Sequence, residues 1–444
     1  MESSLSLASF ISIQRGAKSV AAANPQNANR YITTLGIASH GREGYLKDLQ
    51  GLAPKLGFNL VNLSPNDWPE DEYIPLQNGQ ALLPNTKTNI LDRNELGLPR
   101  TLPLFPGYIK YKLENGTLMF RKQGVLLEKE DSLQFRASIQ GTSSVKQAQS
   151  YLEGGNVLPI RNRDGSMSAL VGEDSLQIAQ IILEKQGYFT QDLVNKKLAD
   201  MEFRQNFDTA LMKTTEEKLS KAQILSGSMT QEEKDRIIKD YLVKQSLSKD
   251  VIAKDLGINT ENVSYIYQKL PHIDLQMRPL NDNVVILDDE SLGLKLVNGL
   301  LKRESLPPEE RKGLIDAQSY LEEKIANGAV ESTEKVRLQL EKAGYKVVLV
   351  PGSMHESINF MNGEAGTAID GKRYYLTNSA SAYPELEESF KKKVLKDTRI
   401  EELYFLGGKD AAKTLLSGGG LDCITTELLS NIREGFSLKD QGKY

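Results

Sequence analysis

Short apolar runs of strand length recur along the chain, each reached through a turn and followed by a stretch in which apolar residues return every third or fourth position. That alternation predicts strand and then helix, repeated. The clearest instance is HIDLQMRPLNDNVVILDDESLGLKLVNGLLKRE, with His272 and Asp274 at its head, a turn at Asn281 to Asn283, a strand from Val284 to Leu287 and then a helix. A second begins at Glu153, with a turn at Arg163-Asp164-Gly165, a run from Ser168 to Gly172 and a helix from Ser175. In a third, near Ile358, Asp370-Gly371 makes the hairpin turn and Tyr374 to Thr377 the strand. PEDEYIPLQNGQALLPN around Asp71 and GGGLDCITTELL around Cys423 extend the series. With Asp71, Glu153, His272, Asn359 and Cys423 as heads, the gaps are 82, 119, 87 and 64 residues, too uneven for a solenoid of strict period.

The widest gap holds an insertion. Residues 188–262 are almost continuously helix-like, with charged faces and few strand formers, and are expected to form an α-helical elaboration on a repeated α/β core. Such charge runs are more often solvated helix faces than binding sites. LPPEERKGLIDAQSYLEEKIANG, with its proline pair and acidic first turn, predicts another capped helix. The expected organisation is a loose segment 1–30, a first part of the core 31–187, the insertion 188–262 and a second part 263–436, with the last eight residues loose as well.

Composition narrows the function. The chain has 444 residues, 39% apolar and 26% charged, ordinary for a globular protein with a sizeable core. Its 55 Lys and Arg against 59 Asp and Glu leave no basic excess to neutralise phosphates, so nucleic acid is not expected as a partner. No apolar run reaches the roughly 20 residues needed to cross a bilayer, and the N-terminus lacks the features of a cleaved secretory signal. A cytoplasmic protein, or one secreted without a cleaved signal, is expected. Cys423 is the single cysteine, which excludes an internal disulfide and a thiolate-rich metal cage. Only His40, His272 and His355 accompany it.

Four elements carry candidate chemistry. Cys423 follows three consecutive glycines, which permit close backbone approach and positive φ; a free cysteine is by type more often a small buried hydrophobe, but an inert core position has no need of that run. In PHIDLQMRPL, His272 and Asp274 are two apart and share a side if the segment is extended, setting a titrating base beside a carboxylate. In YLEGGN, Glu153 precedes two glycines and offers a carboxylate that would orient an imidazole. Around Trp68 crowd Asp67, Glu70, Asp71 and Glu72, which viewed alone would be an exposed acidic turn. GGKDAAKT at 407–414 lacks the spacing of a phosphate loop.

Taken in order, the acidic segment, EGGN, HxD and GGGxxC resemble the guanidino-group-modifying enzymes, the pentein superfamily that includes arginine, agmatine and protein-arginine deiminases. The resemblance runs from about residue 66 to 430, with 188–262 outside it. It implies an α/β fold, a fivefold pseudo-symmetric propeller of ββαβ modules. NDWPEDEYIPLQNGQALLP is similar to the protein-arginine deiminase segment in which an aspartate follows a tryptophan, which puts Asp71 in the place of the first guanidinium-binding aspartate, within a residue of register. The same resemblance implies Cys423 as nucleophile, His272 as acid and base, Asp274 as the second guanidinium-binding carboxylate and Glu153 as the group supporting His272. It adds Asn156 and Arg93 on the substrate side. Asp422 departs from the residue often found before the nucleophile, which bears on substrate choice.

The implied reaction is hydrolysis of the guanidinium of arginine, in a peptide first and then as free arginine or agmatine, to a ureido group and ammonia. His355, Asn359 and Asn362 are candidate pocket lining, although such residues are usually structural. No cofactor and no metal are expected: thiol and imidazoles lack ligand spacing, and the extra domains that carry calcium in animal protein-arginine deiminases have no counterpart of matching length. Alternatives are an amidinotransferase using the same Cys and His, a cysteine hydrolase of amides, and a non-catalytic guanidine-binding protein of the same fold. Oligomeric state has no readable signal.

Overall fold

A computed structural model of the chain describes residues 34–427 apart from 39–40, 63–68, 73, 77–80, 84–89, 93–107, 113–117, 123–144, 151, 153, 163–165, 222–224, 226, 271, 281–282, 353–357 and 418. The segment 1–30 and the last eight residues, expected to be loose, lie outside the described residues.

Among the described residues, five three-stranded sheets follow one plan: a central strand with an antiparallel neighbour on one side and a parallel neighbour on the other. Parallel pairing demands a long crossover, which is where the helices fall. Val284–Asp289 pairs antiparallel with Met277–Pro279 and parallel with Lys346–Pro351. Arg373–Asn378 does so with Glu364–Thr367 and Glu402–Leu406; Met167–Gly172 with Val157–Arg161 and Val263–Ile266; Ala81–Leu83 with Ile74–Pro75 and Val145–Gln147. The fifth sheet joins the two ends of the core: Thr34–Ile37 runs parallel to Asn59–Asn62 and antiparallel to Thr425–Glu427. A sixth sheet, Ile90–Asp92, Tyr108–Lys112 and Leu118–Lys122, is antiparallel throughout and lies in the crossover between Leu83 and Val145.

Local chemistry explains the turns. Asn283 has φ 62°, a left-handed conformation that asparagine tolerates, and Gly371 at φ 87° closes the hairpin before Arg373–Asn378. The strand expected to end at Leu287 continues to Asp289, because Asp288 and Asp289 pair with Val350 and Pro351, a contact remote in sequence. Its run of consecutive apolar residues is explained by burial on both faces. Val285 and Leu287 pack with Leu158, Leu170 and Ile266 of the preceding sheet, while Ile286 packs with Tyr375 and Leu403 of the following one. Ile74 and Leu82 likewise share a core with Val157 and Val171, and Leu35 and Leu60 with Tyr374 and Leu406. Neighbouring sheets in the chain therefore hold one another by common apolar layers.

Between Val171 and Val263 come the helices Gln191–Phe203, Thr209–Lys221 and Gln231–Leu256. They bury Val194, Met201, Leu219, Leu242 and Val243 in a core of their own. A capping box between Thr230 and Glu233 starts the longest helix, whose last turns place Ile252 and Leu256 in the core of the adjacent sheet. The proline-led segment forms Pro308–Ala326 with Pro at its first turn. Among the described residues no helix is long and apolar enough to cross a membrane.

Candidate active site

Polar residues that precede the strands Met277–Pro279, Glu364–Thr367 and Thr425–Glu427 converge. Cys423 lies in the short helix Leu421–Ile424 and His272 just before the single turn Ile273–Leu275 that carries Asp274. The HxD segment is not extended but a turn closed by Gln276 N donating to Ile273 O at 3.1 Å. The three functional groups still meet: a ring nitrogen of His272, a carboxylate oxygen of Asp274 and the Cys423 sulfur lie within 4.8 Å of one another. Sγ approaches Asp274 Oδ2 at 3.2 Å. All three residues are buried.

Glycines make this possible by close approach. A Cβ on Gly155 would stand 2.3 Å from His272 Nδ1, and one on Gly154 would stand 1.9 Å from the carbonyl oxygen of Glu70. Both glycines of EGGN thus let the turn Gly154–Asn156 pass between the acidic segment and the imidazole. A Cβ on Gly420 would meet Asn378 Nδ2 at 2.6 Å and Asn362 Oδ1 at 2.7 Å. Its φ of −127° needs no glycine, so close approach rather than positive φ explains this residue of the GGG run.

Asn156 is fully buried behind the histidine: its Oδ1 accepts from Gln268 Nε2 at 2.9 Å and from Ile273 N at 3.2 Å, and its Nδ2 donates to Asp174 at 3.2 Å. These bonds fix the backbone of the HxD turn. Asn362 is equally buried, with Nδ2 2.6 Å from Asp274 Oδ2 and 3.1 Å from Cys423 Sγ.

Beneath the sulfur lies a set of buried charges. Arg278 Nη2 donates to Glu364 Oε2 at 2.7 Å and Nη1 pairs with Asp422. The side chain of Asp422, adjacent to Cys423 in sequence, is therefore committed to an internal ion pair. Glu70 approaches the same region: carboxylate oxygens of Glu70, Asp274 and Asp422 lie within 4.8 Å of one another. Glu70 Oε2 and Asp274 Oδ1 are buried without a hydrogen-bond partner. Four carboxylates thus surround one arginine and one histidine.

The electrostatic result is consistent. Burial pushes the Glu70 carboxyl well above its usual range, reinforced by Asp422 and Asp274. Asp422 is raised well above its own, first by burial and then by Glu364 and Asp274, against the pull of Arg278. Burial also raises Asp274, opposed by His272, the Cys423 thiol, Arg278 and Asn362. Burial works against the Arg278 charge, but Asp422, Glu364 and Glu70 outweigh it and hold the guanidinium more firmly charged than usual. Burial is the largest cause for all three carboxyls, and neighbouring carboxylates add to it at Glu70 and Asp422.

The structure therefore brings together Cys423, His272 and Asp274, with Asn156 one layer behind. Asp71 lies in the short helix Pro69–Glu72, next to Glu70. The side chain of Asp71, and Glu153, Arg93, His40 and His355 entirely, lie outside the described residues. Arg278 and Asn378 carried no signal on their own; Asn362 was a candidate for pocket lining, and Glu70 stood within a segment whose polarity marked it without separating it from its neighbours.

No family model matches the chain, and no curated protein sequence matches it. Among solved structures it is similar to an agmatine deiminase from C. jejuni with substrate bound, at 10% identity and TM-score 0.39, covering 91% of this chain and 95% of that one. It is similar to an agmatine deiminase of Enterococcus faecalis, at 10% identity and TM-score 0.38, covering 93% and 99%. It is also similar to a DDAH from Pseudomonas aeruginosa complexed with citrulline, at 9% identity and TM-score 0.38, covering 89% and 98%.

Proposed function

We propose that the protein is a deiminase that hydrolyses the guanidinium of an arginine-type substrate to a ureido group and ammonia. The observation that carries this reading is the meeting of the Cys423 sulfur, an imidazole nitrogen and the Asp274 carboxylate within 4.8 Å, beside buried carboxylate oxygens of Glu70 and Asp274 that have no hydrogen-bond partner. A planar monocation supplies paired N–H donors to carboxylates, each charge-assisted bond contributing roughly 1.5 to 3 kcal/mol. The fold that accompanies this reading is the fivefold propeller, supported by five sheets of one plan that share cores in chain order.

In the proposed reaction the substrate guanidinium pairs with Asp274 and with a carboxylate of the 70–71 segment, and the Cys423 thiolate attacks its carbon. A bond from Sγ to carbon forms and a carbon–nitrogen bond breaks; His272 as imidazolium supplies the proton with which ammonia leaves. The neutral imidazole then takes a proton from water, whose oxygen adds to the amidino carbon; the carbon–sulfur bond breaks to give the ureido product and the thiolate, and the remaining hydroxyl proton passes to solvent, where the released ammonia takes it up as ammonium. A cation beside the sulfur assists, since a thiol of ordinary pKa near 8.5 is only a few per cent ionised at neutral pH. Glu153 is assigned to orienting His272, and Arg93 to the substrate side.

The test is incubation with an arginine-containing peptide, free arginine and agmatine, followed by assay of ureido product and ammonia. The peptide is the first expected substrate. Absence of product from all three, with the thiol intact, overturns the reading.

A further inference from the structure

His272 and Asp274 sit on one loop, and a single side chain joins its two ends. Gln276, fully buried, accepts from Lys269 N at 2.8 Å through Oε1 and donates to Tyr267 O at 2.8 Å through Nε2. Tyr267 O and Lys269 N are a carbonyl and an N–H two residues apart, the pair that a neighbouring strand would engage. Here one primary amide satisfies both. The main chain of Gln276 is committed as well, its N donating to Ile273 O at 3.1 Å and its O accepting from Asp288 N at 3.0 Å. All four polar groups of one residue are thereby spent on the loop and on the strand Val284–Asp289 behind it.

Other contacts hold the loop at separate points. Lys269 Nζ lies 2.6 Å from Asp288 Oδ1, 3.0 Å from Glu290 Oε1 and 2.8 Å from Thr333 Oγ1 of the helix Ala329–Lys342, with the lysine side chain buried. Asp274 has its own anchor in Asn362 Nδ2 at 2.6 Å, and Ile273 N has one in Asn156 Oδ1 at 3.2 Å. Among these contacts only the Gln276 amide ties the first limb of the loop to the last.

We propose that Gln276 is a positioning residue, whose amide closes the base of the loop and so sets the His272 ring against Gly155 and within reach of Cys423. The inference rests on His272 being the acid and base of the proposed reaction. Without the amide, Tyr267 O and Lys269 N are left buried and unpaired, and the limb that leads to His272 must move to recover partners. Asp274 stays under its own anchor, so the cost falls on proton transfer rather than on holding the cation. A displacement of about 1 Å suffices for a loss of about a hundredfold in rate.

The experiment compares Gln276→Met and Gln276→Glu with wild type, both substitutions keeping the length of the side chain. Methionine cannot bridge the two groups, and kcat is expected to fall about ten- to a hundredfold with KM within about twofold. Glutamate as the anion still accepts from Lys269 N but turns a lone pair on Tyr267 O; protonated, it donates there and restores the bridge. Its kcat should therefore climb toward wild type on acidification, while the methionine deficit stays constant. Lys269, Asp288, Glu290, His272 and Asp274, the charged and titratable groups around this loop, are common to all three proteins, so the ratio to wild type at each pH isolates the introduced carboxyl.

A second readout needs no turnover. In histidine-labelled protein the ring signals of His272, assigned with His272→Asn, should shift in Gln276→Met and match wild type again in Gln276→Glu at low pH. Kinetics and signals unchanged in both folded variants, a loss confined to KM, or a glutamate deficit indifferent to pH overturns the proposal. Should Gln276→Met fail to fold, the glutamate variant decides alone by its return in acid. Wild type that converts no guanidine refutes the deiminase reading alone, and the ring signals then judge the positioning.

Discussion

Gly155 lies so close to His272 that a methyl group on its α-carbon would stand 2.3 Å from Nδ1. The imidazole is held in its place partly by the absence of a side chain across from it, and the smallest possible addition must displace either the ring or the turn Gly154–Asn156. Gly155→Ala is therefore expected to lower kcat/KM by about a hundredfold or more, the scale of losing a positioned general acid. Retained folding is checked by circular dichroism alongside steady-state kinetics. An alanine variant with wild-type kinetics would show that the ring is not the proton donor in this position.

Much of the site was legible because its residue types are scarce. One cysteine and three histidines leave few pairings, and the glycines of EGGN and GGG announce close approach without saying what approaches. Of the repeat heads, His272 and Cys423 were visible ahead of strands, and they meet in the site. Long-range pairing stayed hidden. Arg278, three residues past the turn Ile273–Leu275, finds Glu364 and Asp422 at separations of 86 and 144 residues, and nothing in PHIDLQMRPL distinguishes it from a solvated arginine. The three glutamate and aspartate neighbours from Glu70 to Glu72 were equally opaque, since local polarity does not tell which carboxylate the tertiary fold turns inward.

Arg278 compensates two buried carboxylates at once. Its replacement by methionine keeps volume and apolar contacts but leaves Glu364 and Asp422 facing one another. Breaking a buried pair from one side costs about 3–5 kcal/mol, and Arg278→Met is expected to lose stability on that scale in urea unfolding at neutral pH. The deficit should shrink on acidification, as protonation removes the uncompensated charge. A loss that stays constant from neutral to acidic pH would mean that packing, rather than charge, explains the arginine.

A second pH effect follows from Glu70, whose carboxyl is raised well above its usual range by burial and then by Asp422 and Asp274. A carboxyl with a raised folded pKa binds more protons folded than unfolded, so its contribution to stability declines as pH rises from the ordinary carboxylate range through the raised value. Wild type should therefore lose thermal stability relative to Glu70→Gln across that window, and the two should run parallel below it. Agmatine at saturating concentration should narrow the difference, because a bound cation favours the ionised carboxyl. Midpoints that diverge in the opposite sense would place Glu70 in a cationic rather than an acidic environment.

The acidic segment poses a choice between neighbours. Glu70 turns its carboxylate to within 4.8 Å of Asp274 and Asp422, with Oε2 buried and unpartnered, whereas the sequence resemblance favours Asp71, one residue on. If Glu70 holds the guanidinium, Glu70→Gln should raise KM by about ten- to a hundredfold, the loss of one charge-assisted hydrogen bond, with Asp71→Asn changing it little. The reverse pattern assigns the substrate to Asp71 and makes Glu70 a partner of the Arg278 cluster. Because both replacements conserve shape, the kinetic comparison reads charge alone, and an equal effect of the two would mean that the substrate spans both carboxylates.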